Sequence, residues 1–377
     1  MTAPTLHTDL CDVLGIDYPI LQSGMGGVAG PDLVAEVSNA GGLGILAGLH
    51  MHPEPLRESI RKVRQLTTRP FGVNLWRHAD MLPPVDVNAI PEATVRGAQQ
   101  MLNRFRERLG IPTTLARPAG IADVAGAAFE VILEERVPVF SSALVGFQDP
   151  EMVRRCHERG IKVMTMVATV EDARAAAAAG VDVIVAQGGE AGGHRSVGVT
   201  LSSPAAANVS TMVLVPQVAD AVRVPVVAAG GIADGRGLVA ALALGASGIL
   251  LGTRFVATRE SAVPEFQKKA LLEAESNATT LTNTITGLYA RALRNRFTDE
   301  YEASGAPVLP AHVQRNAAHD VFAASGKQHE LAYFPIMSGQ SVGMIRDLPG
   351  AAEVVESIVH EARAILSSLP RRAGLAP

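Results

Sequence analysis

Residues 225–255 read P-V-V-A-A-G-G-I-A-D-G-R-G-L-V-A-A-L-A-L-G-A-S-G-I-L-L-G-T-R-F. Pro225 to Ala229 is a short continuous apolar run stopped by Gly230 and Gly231, as in a strand buried on both faces. Arg236 to Leu244 reads as a helix, and Ser247 to Leu251 repeats the strand before G-T-R-F. Strand, glycine turn, helix and strand of the same kind make a βα unit with parallel strands.

The unit recurs outward in both directions. Val181 to Ala186 is a strand that opens into Q-G-G-E-A-G-G-H, and Lys162 to Val167 is a strand followed by the alanine-rich helix Val170 to Ala179. Further upstream the strands are Pro138 to Ala143, Phe71 to Trp76, Leu43 to Ala47 and Pro19 to Met25, and the helices include Pro31 to Ala40, Glu54 to Leu66, Ile121 to Glu135 and Pro150 to Arg159. Strands therefore fall near residues 20, 44, 72, 139, 164, 183, 227 and 249. Eight alternations with short apolar strands predict an α/β fold, a (β/α)8 TIM barrel, with a doubly wound open sheet as the alternative.

Two stretches break the rhythm. Residues 77–120 read as an elaborated loop holding a polar helix, Glu92 to Leu109. Residues 259–336 begin with the run N-A-T-T-L-T-N-T-I-T-G-L-Y-A-R-A-L-R-N-R-F and predict a mostly helical subdomain inserted before the last barrel helix, Ala352 to Leu369. The predicted domains are thus a barrel over 1–258, completed by 337–377, and a helical subdomain over 259–336. A helix ending at Val222 accommodates Pro216 only in its first turn.

Composition narrows the function. With 377 residues, 47% hydrophobic, 19% charged and 36 Gly, the chain can bury a large core. A net charge of −4 gives no basic footprint for nucleic acid. Cys11 and Cys156 build neither a disulfide framework nor a cysteine metal site. His50 and His52 lack a third ligand and sit before Pro53, so no metal is expected. No apolar run reaches the ~18 residues of a membrane span, and the N-terminus is not a signal peptide, so a soluble, cytoplasmic protein is expected.

In a closed barrel the loops after the strands share one face. G-M-G-G at 24–27, Asn74, Q-G-G-E-A-G-G-H at 187–194, G-G-I-A-D-G at 230–235 and G-T-R-F at 252–255 converge there. Gly230-Gly231 and Gly252-Thr253 follow the seventh and eighth strands, where backbone N–H groups commonly hold a phosphate. The glycine shelf before His194 leaves room for a flat cofactor, with an imidazole beside it as acid or base. Arg195 reads as a solvated or phosphate-facing charge, and Glu190 either orients His194 or caps the next helix.

The blocks P-I-L-Q-S-G-M-G-G, F-G-V-N-L-W, V-A-Q-G-G-E-A-G-G-H-R, V-V-A-A-G-G-I-A-D-G-R-G, G-T-R-F and the later S-G-Q-S-V-G at 338–343 resemble the nitronate monooxygenase family, in order across the chain. The resemblance implies a TIM barrel that binds FMN and has a helical domain near the C-terminus. It implies that Gly24, Met25 and Gly26 border the isoalloxazine and that Asn74 and Gln187 hydrogen-bond it. Gly192 and Gly193 lie on the shelf, and Gly230, Gly231, Gly252 and Thr253 hold the phosphate. Gly339-Gln340 closes near the flavin, and His194 is the catalytic base. The implied reaction oxidises nitronates with O2 to carbonyl compounds and nitrite, and a neutral imidazole suits proton removal from a nitroalkane near pH 7. The added lobe suggests a homodimer.

Flavin-dependent enoyl-acyl carrier protein reductases share the barrel and a similar E-A-G-G-H loop, which makes an NAD(P)H-using reductase the alternative. Gln187 favours the monooxygenase. Arg291, Arg294 and Arg296 would suit a bulky acidic thioester, but read more simply as a solvated helix face. A non-catalytic flavin-binding protein is a third reading, against which His194 and the open shelf argue. IMP dehydrogenase needs a loop cysteine that neither Cys11 nor Cys156 supplies.

Overall fold

A computed structural model describes residues 5–48, 51–76, 85–120, 124–143, 149–196 and 208–374. Its strands are β1 Ile20–Gln22, β2 Gly44–Ala47, β3 Phe71–Trp76, β4 Val139–Ala143, β5 Lys162–Val167, β6 Val183–Gln187, β7 Gly193–His194, β8 Val226–Ala229, β9 Gly248–Leu251, β10 Thr279–Thr282 and β11 Ala290–Leu293. Its α-helices are α1 Asp9–Leu14, α2 Pro31–Asn39, α3 Pro53–Leu66, α4 Glu92–Leu109, α5 Ala125–Glu134, α6 Pro150–His157, α7 Val170–Ala178, α8 Thr211–Ala221, α9 Gly235–Ala243, α10 Thr253–Val256, α11 Glu265–Glu273, α12 Arg296–Ser304, α13 Val313–Ala317, α14 His319–Gln328 and α15 Ala351–Arg372.

Eight strands pair in parallel in the order β1-β9-β8-β6-β5-β4-β3-β2. Leu43, just before β2, bridges Leu21 of β1, with Gln22 N donating to Leu43 O at 2.9 Å and Leu43 N to Ile20 O at 3.0 Å. The ring closes there, which rejects the open sheet and gives the (β/α)8 barrel.

Strand alternation fills both sides of the wall. Val183 and Val185 point inward with Leu21, Ile45, Val139, Met164 and Val227, while Ile184 and Ala186 pack outward against the helices. Leu10, Cys11 and Leu14 of α1 join the inner cluster, and Thr8 Oγ1 donates to Ser247 O, so α1 seals the end where the strands begin.

A second core lies outside the barrel. Val95, Ala98, Leu102, Phe105 and Leu109 recur along one face of α4 and pack with Ile285, Phe297, Tyr301, Leu309, Val313 and Val321. The stretch read as an elaborated loop thus contributes a helix to the C-terminal lobe. Arg106, 1% exposed, fastens it there: its guanidinium donates to Gln99, Asn103, Ala317 O and Asp320 at 2.7–3.1 Å. The polar run at 277–297 forms a hairpin, because the β-branched threonines at 279, 280 and 282 suit an extended chain.

The restriction on Pro216 is corrected. It is the sixth residue of α8, inside the helix. The hydrogen bond it forgoes would fall on Met212 O, in a turn where Met212 and Val213 are exposed and water can replace it.

Candidate active site

Beyond Gln187 the chain makes a tight loop. Gly188 N donates to Ala229 O at 2.8 Å, Gly189 N to Val209 O at 2.6 Å and Ala191 N to Gly188 O at 3.1 Å. Glu190 turns to α8: its carboxylate accepts from Thr211 N at 2.9 and 3.1 Å and from Thr211 Oγ1 at 2.9 Å. Of its two readings, helix capping is the one observed, with a carboxylate at a helix N-terminus.

The loop then enters a second sheet. Gly193 and His194 form β7, antiparallel to β11 with Ala290 opposite His194 and Arg291 opposite Gly193. Gln187 braces this strand from the barrel, its Nε2 donating to His194 O at 2.9 Å and its Oε1 accepting from Ser196 N at 2.8 Å. His194 Nε2 lies 2.8 Å from Thr286 Oγ1, and its ring centroid is 5.9 Å from that of His312.

The arginines differ from their sequence reading. Arg195 is 2% exposed, so it is not solvated: its Nη1 donates to Gly188 O at 2.7 Å, while Nε and Nη2 have no hydrogen-bond partner among the described residues. Burial, then the neighbouring Arg291, pushes its pKa down to about 10. Arg291 is also buried, on a strand instead of a helix face, and donates to Gly189 O at 2.9 Å and to Thr279 Oγ1 and Asn208 Oδ1 at 3.1 Å. Alternation along β11 turns it under the glycine loop. Arg294 and Arg296 are the exposed pair, facing Asp299 and Glu300.

The barrel loops complete the site. Asn74 is buried; its Nδ2 reaches Ser141 O at 3.3 Å, but its Oδ1 has no partner among the described residues. A Cβ on Gly24 would lie 2.5 Å from Asn74 Cβ. Gly230 and Gly231 take successive positive φ values of 108° and 73°, which exposes backbone N–H groups in a way that favours glycine. Thr253 Oγ1 accepts from Gly339 N at 2.9 Å, tying the late S-G-Q segment to the barrel top.

These groups surround one cavity of about 670 Å³, inside the roughly 300–1,000 Å³ range of cofactor pockets. Gly24, Met25, Gly26, Asn74, Gln187, Gly192, Gly193, His194, Gly230, Gly231, Gly252, Thr253 and Gly339 all line it. Gln340 does not; its backbone N–H donates to Glu190 O at 2.9 Å. His50 lies outside the described residues, and His52 precedes α3 as its N-cap residue.

Thr286, Arg315, His319 and Phe322 also line the cavity and escaped the sequence reading. They come from the lobe, and no spacing relates them to the barrel motifs. Arg315 has no ion-pair partner among the described residues, and burial lowers its pKa. A flat, anion-bearing cofactor fits these walls: a buried acceptor at Asn74 with no partner among the described residues, a floor where Gly24 excludes a side chain, and glycine backbone after β8 and β9.

Among the described residues no helix is long and apolar enough to cross a membrane. The family model described as nitronate monooxygenase matches residues 7–361. Nitronate monooxygenase of Paraburkholderia phytofirmans is 36% identical over 384 residues, covering 98% of this chain and 99% of that protein. Among solved structures, nitroalkane oxidase from Streptomyces ansochromogenes superposes with a TM-score of 0.83 at 34% identity, covering 96% of this chain and 99% of that one. FabK from Thermotoga maritima gives a TM-score of 0.75 at 32% identity over 98% and 100% of the two chains. With its fold and nearly its whole length matched, the chain belongs to the nitronate monooxygenase family of flavin-dependent oxidoreductases.

Proposed function

We propose that the protein is an FMN-dependent nitronate monooxygenase that oxidises alkyl nitronates with O2 to carbonyl compounds and nitrite, and accepts neutral nitroalkanes after His194 removes the α-proton. The observation that carries this reading is the placement of His194 on the wall of the same cavity as the glycine loops after β1, β8 and β9. FMN, when bound, supplies the electron acceptor that a carbanion-like nitronate requires.

The chain's residues bind and orient. Gly230, Gly231, Gly252 and Thr253 would hold the phosphate on backbone N–H groups, and Gly24, Met25 and Gly26 would border the ring. Asn74 Oδ1 is an acceptor for a ring N–H, and Gln187 keeps a second Nε2 proton beyond the one given to His194 O. Gly192, Gly193 and the Gly339-Gln340 segment would close the site. Residues 1–258 with 337–377 form the flavin barrel, and 259–336, joined by α4, the lobe that supplies the substrate side. We place the enzyme in the cytoplasm as a homodimer.

The likeness to Thermotoga FabK supports a second reading, an NAD(P)H-dependent reductase of enoyl thioesters. Anaerobic mixing of the FMN-loaded protein with an alkyl nitronate, and separately with NADH and NADPH, distinguishes them. Bleaching of the flavin absorbance by nitronate alone is expected; rapid bleaching by a nicotinamide alone would replace the monooxygenase with the reductase.

A further inference from the structure

We infer that Arg195 and Arg291 place a buried positive charge behind the Gly230-Gly231 turn, so that the site tells a phosphorylated flavin from an unphosphorylated one by charge as well as by backbone N–H groups. The inference rests on the reading of that turn as the place of the cofactor's phosphate.

Two guanidinium groups reach consecutive carbonyls of one loop. Gly188 O accepts from Arg195 Nη1 at 2.7 Å, and Gly189 O accepts from Arg291 Nε at 2.9 Å. The same loop lies against the turn after β8: Gly188 N donates to Ala229 O at 2.8 Å, and a Cβ on Gly230 would sit 3.2 Å from Gly188 O and 2.9 Å from Ala191 N. One carbonyl oxygen is therefore neighbour to both the Arg195 guanidinium and Gly230. Glu190 backs the second glycine, since a Cβ on Gly231 would lie 3.4 Å from Glu190 Cβ.

The charges in this group do not cancel. The ionised neighbours that act on Arg195 are Arg291 and Glu190, and the Glu190 carboxylate accepts from Thr211 N and Oγ1 at 2.9–3.1 Å instead of from either guanidinium. Two cations and one carboxylate leave one positive charge over. Arg195 and Arg291 are 2% and 6% exposed, so water and salt screen that charge weakly and its reach is long. Even with its pKa pushed down to about 10, Arg195 keeps its proton at neutral pH.

Packing alone does not call for such a group. Burying a cation whose Nε and Nη2 find no hydrogen-bond partner among the described residues destabilises the fold. A doubly negative phosphate on the adjoining turn offsets that cost when it binds, and the neutral hydroxyl that ends an unphosphorylated flavin does not. Glu190 opposes the effect, because its carboxylate caps α8 right behind Gly231. Its removal as a charge should therefore act in the opposite sense to removal of Arg195.

The test is fluorescence titration of FMN and of riboflavin into deflavinated full-length protein, read as the ratio of the two affinities. Arg195→Met should lower the preference for FMN about tenfold, and Arg195→Lys, which keeps the charge, should restore most of it. Glu190→Gln should raise the preference severalfold; the amide can still accept from Thr211 N and donate to Thr211 Oγ1, whose proton then goes to Gly230 O. Riboflavin affinity should stay within about threefold of wild type in all three. Equal weakening of both flavins in Arg195→Met would make Arg195 a support for the loop and overturn the inference. So would a Glu190→Gln ratio that falls or does not move, an arm that stands even if Arg195→Met fails to fold. Affinity is read without turnover, so a protein that prefers FMN in this way yet oxidises no nitro compound sinks the functional reading alone, whereas one that binds neither flavin sinks both.

Discussion

A Cβ placed on Gly192 would lie 2.5 Å from the backbone N of Gly339. Two backbones, one from the loop after β6 and one from the segment before α15, touch at the edge of the cavity with no side chain between them. Neither can yield as a flexible side chain would. Gly192→Ala should therefore push the 338–341 segment off the barrel, costing about 1–3 kcal/mol as overpacking does. FMN affinity should fall at least about tenfold, because each 1.4 kcal/mol is a decade. Thermal melting and fluorescence titration of FMN into the apoprotein would measure the two effects; an unchanged affinity would show that this contact does not shape the cofactor site.

His194→Asn should keep the flavin, since the polar side chain replaces an imidazole on the wall, and should lose about 10²- to 10⁴-fold of kcat on neutral nitroalkanes, the usual worth of a positioned base. Oxygen-electrode rates at saturating nitroalkane check it. Retained turnover would remove His194 from the proton step.

Arg195 and Arg291 reach consecutive carbonyls, those of Gly188 and Gly189, yet they should respond oppositely to removal of charge. Arg195→Met eliminates a buried cation with two nitrogens unpartnered among the described residues, and is expected to change stability by less than about 1 kcal/mol or to raise it. Arg291→Met orphans Gly189 O, Thr279 Oγ1 and Asn208 Oδ1, and should cost roughly 2–3 kcal/mol. Urea unfolding of both variants decides whether the pair is a matched clamp or one anchor beside one strained charge.

Acid stability should depend on Asp182. Burial alone would raise its pKa, but the Val163 N–H, His157 and Lys162 outweigh that and hold it below the ordinary 3.8. The folded value is depressed, so this contribution is present above about pH 3.8 and disappears as pH falls through the folded value. Asp182→Asn should lower stability by about 1–2 kcal/mol at pH 7, the worth of charge-assisted bonds. The gap from wild type should narrow below pH 4. Melting temperatures of both proteins from pH 7 to pH 3 would reveal it; a constant gap would assign the loss to packing.

The barrel was legible because its signals are local. β6, β8 and β9 are continuous apolar runs cut by glycine, and Gly230 and Gly231 sit where the chain turns back with positive φ. The lobe was not, because its core joins residues far apart: the Phe105 ring packs tilted against that of Phe297, centroids 5.0 Å apart, and nothing local in α4 announces that partner. The same distance hid Thr286, a threonine among many in a polar run. Arg195 and Arg291 misled for a related reason. A guanidinium usually marks solvent, and only the fold shows a backbone carbonyl waiting for it in the interior.

The helix under the barrel, α1, bears on traffic. With Leu10 and Leu14 closing the floor and Leu21, Val185 and Val227 filling the middle, the barrel is plugged below the cavity, which lies at the loops after the strands beside Thr286, Arg315 and Phe322 of the lobe. Reductant, oxidant and both products of the proposed reaction would then share that face. A product that lingers there would obstruct both halves of the cycle at once, so substitutions at the lobe residues that line the cavity are expected to alter product release as well as chemistry.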